Sequence, residues 1–121
     1  MSEQLSLSFF LISCQAAPTI KLLEVEVGAV RNKEKQVICE ADGWPQPLIQ
    51  WKRENDQIKD GEDYSIKALP KQNQAILIIK SFDDNHEGFY TCEAGNAFGK
   101  TNQTVYLFID GKFLMNMAFL Y

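Results

Sequence analysis

The feature that most constrains this chain is a series of short runs in which apolar residues recur at every second position. Val37, Cys39 and Ala41 alternate within 36–41, and Ile49 and Trp51 alternate with Gln50 and Lys52 within 48–53. Leu77 and Ile79 stand out of 75–80, Tyr90 and Cys92 out of 88–95, and Val105, Leu107 and Ile109 run in step. Period two marks a strand with one buried face, because successive side chains point to opposite sides. Asp42-Gly43, Pro45, Pro47, Asp60-Gly61, Pro70 and the stretch from Asn96 to Gly99 separate the runs, and all of these are turn chemistry. Val25 and Val27, between and beside Glu24 and Glu26, predict one more strand upstream. Strands at this spacing, with no long helical period, predict an all-β fold, a two-sheet antiparallel sandwich.

Composition removes several classes of function. With 121 residues there is room for one domain and not two, and 45% hydrophobic content is an ordinary globular balance. The 12 basic residues are scattered against 16 acidic ones, for a net charge of −4, which disfavours a nucleic-acid partner. One histidine and three cysteines without a C-x-x-C pair supply almost no material for a zinc site or His-centred catalysis. Cys14 has no neighbouring base to activate it. The acidic turn of Asp83, Asp84 and Glu87 lacks the ligand spacing of a calcium loop. The chain is therefore expected to be no enzyme, with no catalytic residue, metal or cofactor. No apolar stretch reaches about 18 residues, so no membrane span is expected in this chain.

The two ends differ from the middle. Residues 1–17 carry an apolar run from Leu5 to Ile12 followed by Ala16 and Ala17, which reads as a signal-peptide-like segment or as a non-native leader. The last stretch, 111–121, is an apolar tail too short to span a bilayer. It is open between the start of a membrane segment, an alternative tail and a helix docked on the domain.

Three residue types in the middle stand in a fixed relation. Trp51 lies twelve positions after Cys39, Cys92 closes the frame, and Tyr90 sits two positions before Cys92. The turn Gly43-Trp44-Pro45-Gln46-Pro47 precedes Trp51; Leu77, Ile79, Phe82, Gly88, Tyr90 and Cys92 follow in register, and then Ala94, Asn96 and Gly99. Over residues 18–110 this pattern resembles the I-set of the immunoglobulin superfamily. The resemblance implies an immunoglobulin-like sandwich, a disulfide between Cys39 and Cys92, and a core built on Trp51, Leu77 and Tyr90. The segments from Glu87 to Cys92 and from Phe108 to Gly111 also resemble the membrane-proximal domains of vascular endothelial growth factor receptors. Cell-adhesion molecules share nearly all of the same motif. One position departs from the family, which usually has Asp six residues before the second cysteine: here it is His86. The expectation there is an exposed turn histidine.

Domains of this kind present surfaces rather than chemistry. A hairpin closed by 96–99 sets Phe89 opposite Tyr106 and Thr91 opposite Thr104. If Tyr90, Val105 and Leu107 point inward, then Phe89, Tyr106 and Phe108 form an outward aromatic strip. Its readings are a partner or self-association face, or cover by the tail Phe113–Tyr121. Trp44, placed in a loop, either meets a partner or packs on Phe98. Asn102-Gln103-Thr104 is the one N-x-[ST] triplet, so Asn102 is a candidate glycosylation site. The leading expectation is an extracellular or cell-surface recognition module of a receptor or adhesion protein. It would pass through the secretory pathway, bind a protein or its own copy, and stand beside neighbouring immunoglobulin domains in a parent protein. The alternative is an intracellular structural I-set module of the muscle giant-protein type, whose cysteines often stay reduced.

Overall fold

A computed structural model describes residues 15–22 and 25–111 and arranges them in two packed sheets. One sheet is made of β1 (Ala16–Lys21), β3 (Lys35–Trp44), β7 (Gln74–Ile79) and β6 (Tyr64–Leu69), in that order. The other runs β2 (Glu26–Ala29), β9 (Gly99–Ile109), β8 (Gly88–Asn96), β4 (Leu48–Arg53) and β5 (Asp56–Gln57). The alternating runs become strands because burying every second side chain between the sheets removes their apolar surface from water, worth about 1.5–3 kcal/mol for each large residue. Trp51, Tyr90, Phe82, Leu77, Ile79, Leu107 and Val105 are fully buried in that gap.

Two cross-ties hold the sheets at the same level. Cys39 and Cys92 are joined, with Cα atoms 6.5 Å apart. Beside them, Trp51 lies opposite Cys92 on β4, and Ala75 lies opposite Cys39 on β7. The Trp51 indole N–H donates to the Ala75 carbonyl at 3.1 Å. The ring therefore spans the same gap as the disulfide, and its one polar atom is satisfied in the core.

Several local features differ from the sequence expectation. The β2–β9 pair is parallel, while the other ladders are antiparallel; β2 has left the sheet of β1 to close the edge of the other one. Val25 precedes β2 and is exposed, so only Val27 of that alternating pair reaches the core. β1 begins at Ala16, inside the segment assigned to the leader, and Ala16 pairs with Trp44. β6 has a weak burial alternation, and its ladder to β7 fixes it instead.

Candidate protein-binding face

The outward face of the five-stranded sheet is set by β8 and β9. Their register runs from Gly88↔Leu107 to Asn96↔Gly99, and it places Phe89 opposite Tyr106 and Thr91 opposite Thr104. Tyr90, Cys92, Val105, Leu107 and Ile109 point inward and are buried. The period-two rule then sends Phe89, Tyr106 and Phe108 outward. Phe89 is 65% exposed and Tyr106 36%. The Phe89 and Tyr106 ring centroids lie 5.0 Å apart, and Tyr106 stacks on Phe108 at 6.2 Å. The strip is thus one contiguous aromatic surface at the end of the sheet where β9 finishes.

Its borders are polar. On the β2 side, Glu26 lies opposite Tyr106 and Gly28 opposite Phe108. A Cβ at Gly28 would fall 1.9 Å from Asp110 Oδ1, so a side chain there would make the exposed Asp110 carboxylate swing aside. On the other side a shallow groove is lined by Arg53, Glu54, Phe89, Thr91 and Thr104. One row beyond the strip, the Thr91 and Thr104 hydroxyls bond at 3.0 Å. Two rows beyond, Lys52 and Lys100 reach Glu93 at 3.2 and 3.6 Å. The Lys52 hydrogen bond, with Lys100 behind it, holds the Glu93 carboxyl below its ordinary value of 4.5.

Beneath the strip a chain of hydrogen bonds makes the floor rigid. Arg53 Nη1 donates to the Tyr64 hydroxyl at 3.0 Å, and Nη2 donates to the Glu87 carbonyl at 2.9 Å. The Tyr90 hydroxyl donates to the His86 carbonyl at 2.6 Å. Its proton committed, Tyr90 accepts from Tyr64 across 3.2 Å. Arg53 also lies 4.9 Å from the centre of the Tyr90 ring, a cation–π distance. Burial, and then the Tyr64 hydroxyl, push the Tyr90 phenol well above its usual 10.0. Burial works against charge on Arg53, yet the Tyr64 hydrogen bond and the neighbouring phenols leave its pKa above the ordinary guanidinium value.

His86 is not the exposed turn residue expected from the sequence. It is only 6% exposed, lying 5.6 Å from the Tyr64 ring and 5.8 Å from Phe82. The cause is a reciprocal cap. Asp83 Oδ1 accepts from the Asn85 N–H at 2.9 Å, and His86 Nδ1 accepts from the Asp83 N–H at 3.2 Å. The 3₁₀ turn Asp84–His86 is closed from both ends and folds the imidazole inward. The histidine thereby holds the turn before β8, the task the family usually gives to aspartate. The rest of the acidic turn is engaged within the protein. Arg31 pairs with Asp84 at 3.2 Å, and Glu87 accepts from the Ile109 N–H at 3.0 Å. No group of metal-ligating side chains occurs among the described residues, and no helix among them is long and apolar enough to cross a membrane.

Trp44 is the last residue of β3 rather than a loop residue, because its pairing with Ala16 extends the strand. It is 54% exposed, and Phe98 is exposed as well. Asn96 braces this pole: its side chain donates to the Ala16 and Pro45 carbonyls at 2.8 and 2.9 Å and accepts from the Phe98 N–H. Asn102 is exposed on the outward face of β9. Leader residues 1–14, with Cys14, and tail residues 112–121 lie outside the described residues, and so does the expected cover of the strip by Phe113–Tyr121.

The immunoglobulin I-set domain family model matches residues 18–109. The chain belongs to the immunoglobulin I-set family. Among relatives of this I-set domain, human neural cell adhesion molecule 1 is 33% identical over 97 residues, covering 78% of this chain and 11% of that protein. The limbic system-associated membrane protein of Gallus gallus is 31% identical over 83 residues, covering 69% of this chain and 24% of the relative. The I-set chain thus spans a small part of the adhesion proteins it resembles. In structure it is similar to a fragment of titin, with a TM-score of 0.71 and 27% identity over 78% of this chain and 32% of that one.

Proposed function

We propose that this I-set domain is a non-catalytic recognition module of an extracellular or cell-surface adhesion protein or receptor. It binds protein, including its own copy, through the aromatic end of the five-stranded sheet. The observation that carries the reading is the strip of Phe89 and Tyr106, both exposed, with half-buried Phe108 stacked against Tyr106, where outward strand positions are ordinarily polar. Aromatic side chains offer large contact area with few torsions to freeze, which is why they dominate binding hot spots. The bonded floor of Arg53, Tyr64 and Tyr90 keeps the strip's backbone in place before a partner arrives, so little ordering cost falls on association. The similarity to adhesion molecules favours the same reading. In this reading the parent protein carries further immunoglobulin domains.

The test is the double variant Tyr106→Ser with Phe108→Ser, compared with wild type by sedimentation equilibrium and thermal melting. Loss of self-association with the cooperative melt retained is the expected result. An unchanged monomer–dimer equilibrium in a folded variant refutes the strip as the interface. Titin as a structural neighbour favours a second reading, an intracellular structural module. Non-reduced intact mass of the chain made behind a supplied secretion signal in an animal cell separates the two. A secreted chain with Cys39 and Cys92 joined supports the first, and a retained chain with free thiols supports the second.

A further inference from the structure

The face that carries the aromatic strip has a second half. Asn102 of β9 stands opposite Glu93 of β8, on the same side of the sheet as Thr104 and Tyr106. It is exposed, and its amide makes no hydrogen bond with another described residue. Its cross-strand neighbour is already engaged, because Glu93 is held by both Lys52 and Lys100. Asn102-Gln103-Thr104 has the form of an N-linked acceptor triplet. Four residues of strand separate Asn102 from Tyr106, about 13 Å, with the Thr91–Thr104 row between them.

We propose that Asn102 is an N-glycosylation site whose sugar covers the Glu93–Lys100 half of the sheet and leaves the Phe89–Tyr106–Phe108 end open for docking. The inference rests on the extracellular part of the reading above, since the sugar is transferred in the secretory pathway. The donor is an oligosaccharide diphosphate. Asn102 Nδ2 forms a bond to the anomeric carbon of the sugar. The bond from that carbon to the diphosphate oxygen breaks, its electron pair leaving with the diphosphate, and one Nδ2 proton passes to the base of the transferring enzyme. A glycan is bulky and strongly hydrated. Anchored beside Lys100, it excludes a partner from that half and directs approach to the aromatic end.

The experiment expresses the full chain in animal cells behind a supplied, cleavable secretion signal. Intact mass is measured before and after treatment with peptide-N-glycosidase. A single glycan mass, lost on treatment and absent from Asn102→Gln, is expected. Amine labelling of Lys100 should then be lost in the glycosylated chain relative to Asn102→Gln, while hydroxyl-radical labelling of Tyr106 stays the same in both. If Asn102→Gln fails to fold, enzymatically deglycosylated wild type, which is left with aspartate at position 102, provides the sugar-free comparator. A folded, secreted wild-type chain at its bare polypeptide mass overturns the site. Protection of Tyr106 equal to that of Lys100 overturns the division of the face. If the supplied-signal chain carries the sugar while Cys39 and Cys92 stay free thiols in it, the extracellular reading fails and the acceptor site stands.

Discussion

Replacing both Cys39 and Cys92 with Ala removes one of the two ties between the sheets and leaves the other. The disulfide closes a loop across a sequence separation of 53. On the chain-entropy account, closing a loop of that length restricts the unfolded chain by about 4 kcal/mol. The native state has little reason to relax, because Trp51 spans the same gap and keeps its hydrogen bond to Ala75. The loss therefore falls mainly on the unfolded side, and that is measurable. In urea titrations followed by tryptophan fluorescence, the variant should lose about 4 kcal/mol relative to the oxidised wild type. Its m-value should rise, since an uncrosslinked unfolded chain exposes more surface. Against a domain stability of about 5–15 kcal/mol, the variant is weakened near the edge of folding. A loss below about 1 kcal/mol with an unchanged m-value would refute the reasoning. A full loss at constant m would move the effect into native packing.

Two further outcomes follow from the core. Trp51→Ala opens a cavity and removes the indole N–H that donates to the Ala75 carbonyl, so it should cost about 3–5 kcal/mol and abolish a cooperative urea transition in chains already lacking the disulfide. Tyr90→Phe removes the donor to the His86 carbonyl and the acceptor for Tyr64, at about 1–3 kcal/mol by equilibrium unfolding near neutral pH. The same variant has a pH signature. The folded-state pKa of Tyr90 is raised, so its contribution is whole below the ordinary 10.0 and is lost as pH rises beyond it. Wild type should lose stability steeply on the alkaline side, and Tyr90→Phe should flatten that limb; an identical alkaline slope in both proteins would exclude Tyr90 as its source.

What the sequence disclosed depended on how many residues spoke for each element. β4 is legible to the residue, because Ile49 and Trp51 alternate with polar neighbours and Pro47 bounds it. The β8–β9 register follows from a tight hairpin and one inward tyrosine, and it places Phe89 opposite Tyr106 without further information. β6 was not legible, because its outward and inward positions are both half-exposed at the edge of a sheet. The parallel β2–β9 pair depends on a crossing between sheets that no local pattern encodes. His86 misled for a chemical reason: a lone histidine in an acidic turn reads as solvated, and its partners Tyr64 and Phe82 come from elsewhere in the chain. The Asp83-x-x-His86 spacing was the available signal, had imidazole been counted as a capping acceptor.

The parallel pairing of β2 with β9 has a mechanical consequence. β1 starts at the pole of Trp44, and β9 finishes at the opposite pole, beside Gly88 and Ala29. Tension applied at these two ends pulls β2 and β9 along their length in opposite senses. The four paired positions from Glu26↔Tyr106 to Ala29↔Ile109 then carry the load together instead of opening one after another. A domain strung between two anchors in this way resists being drawn out until the whole short ladder slips at once.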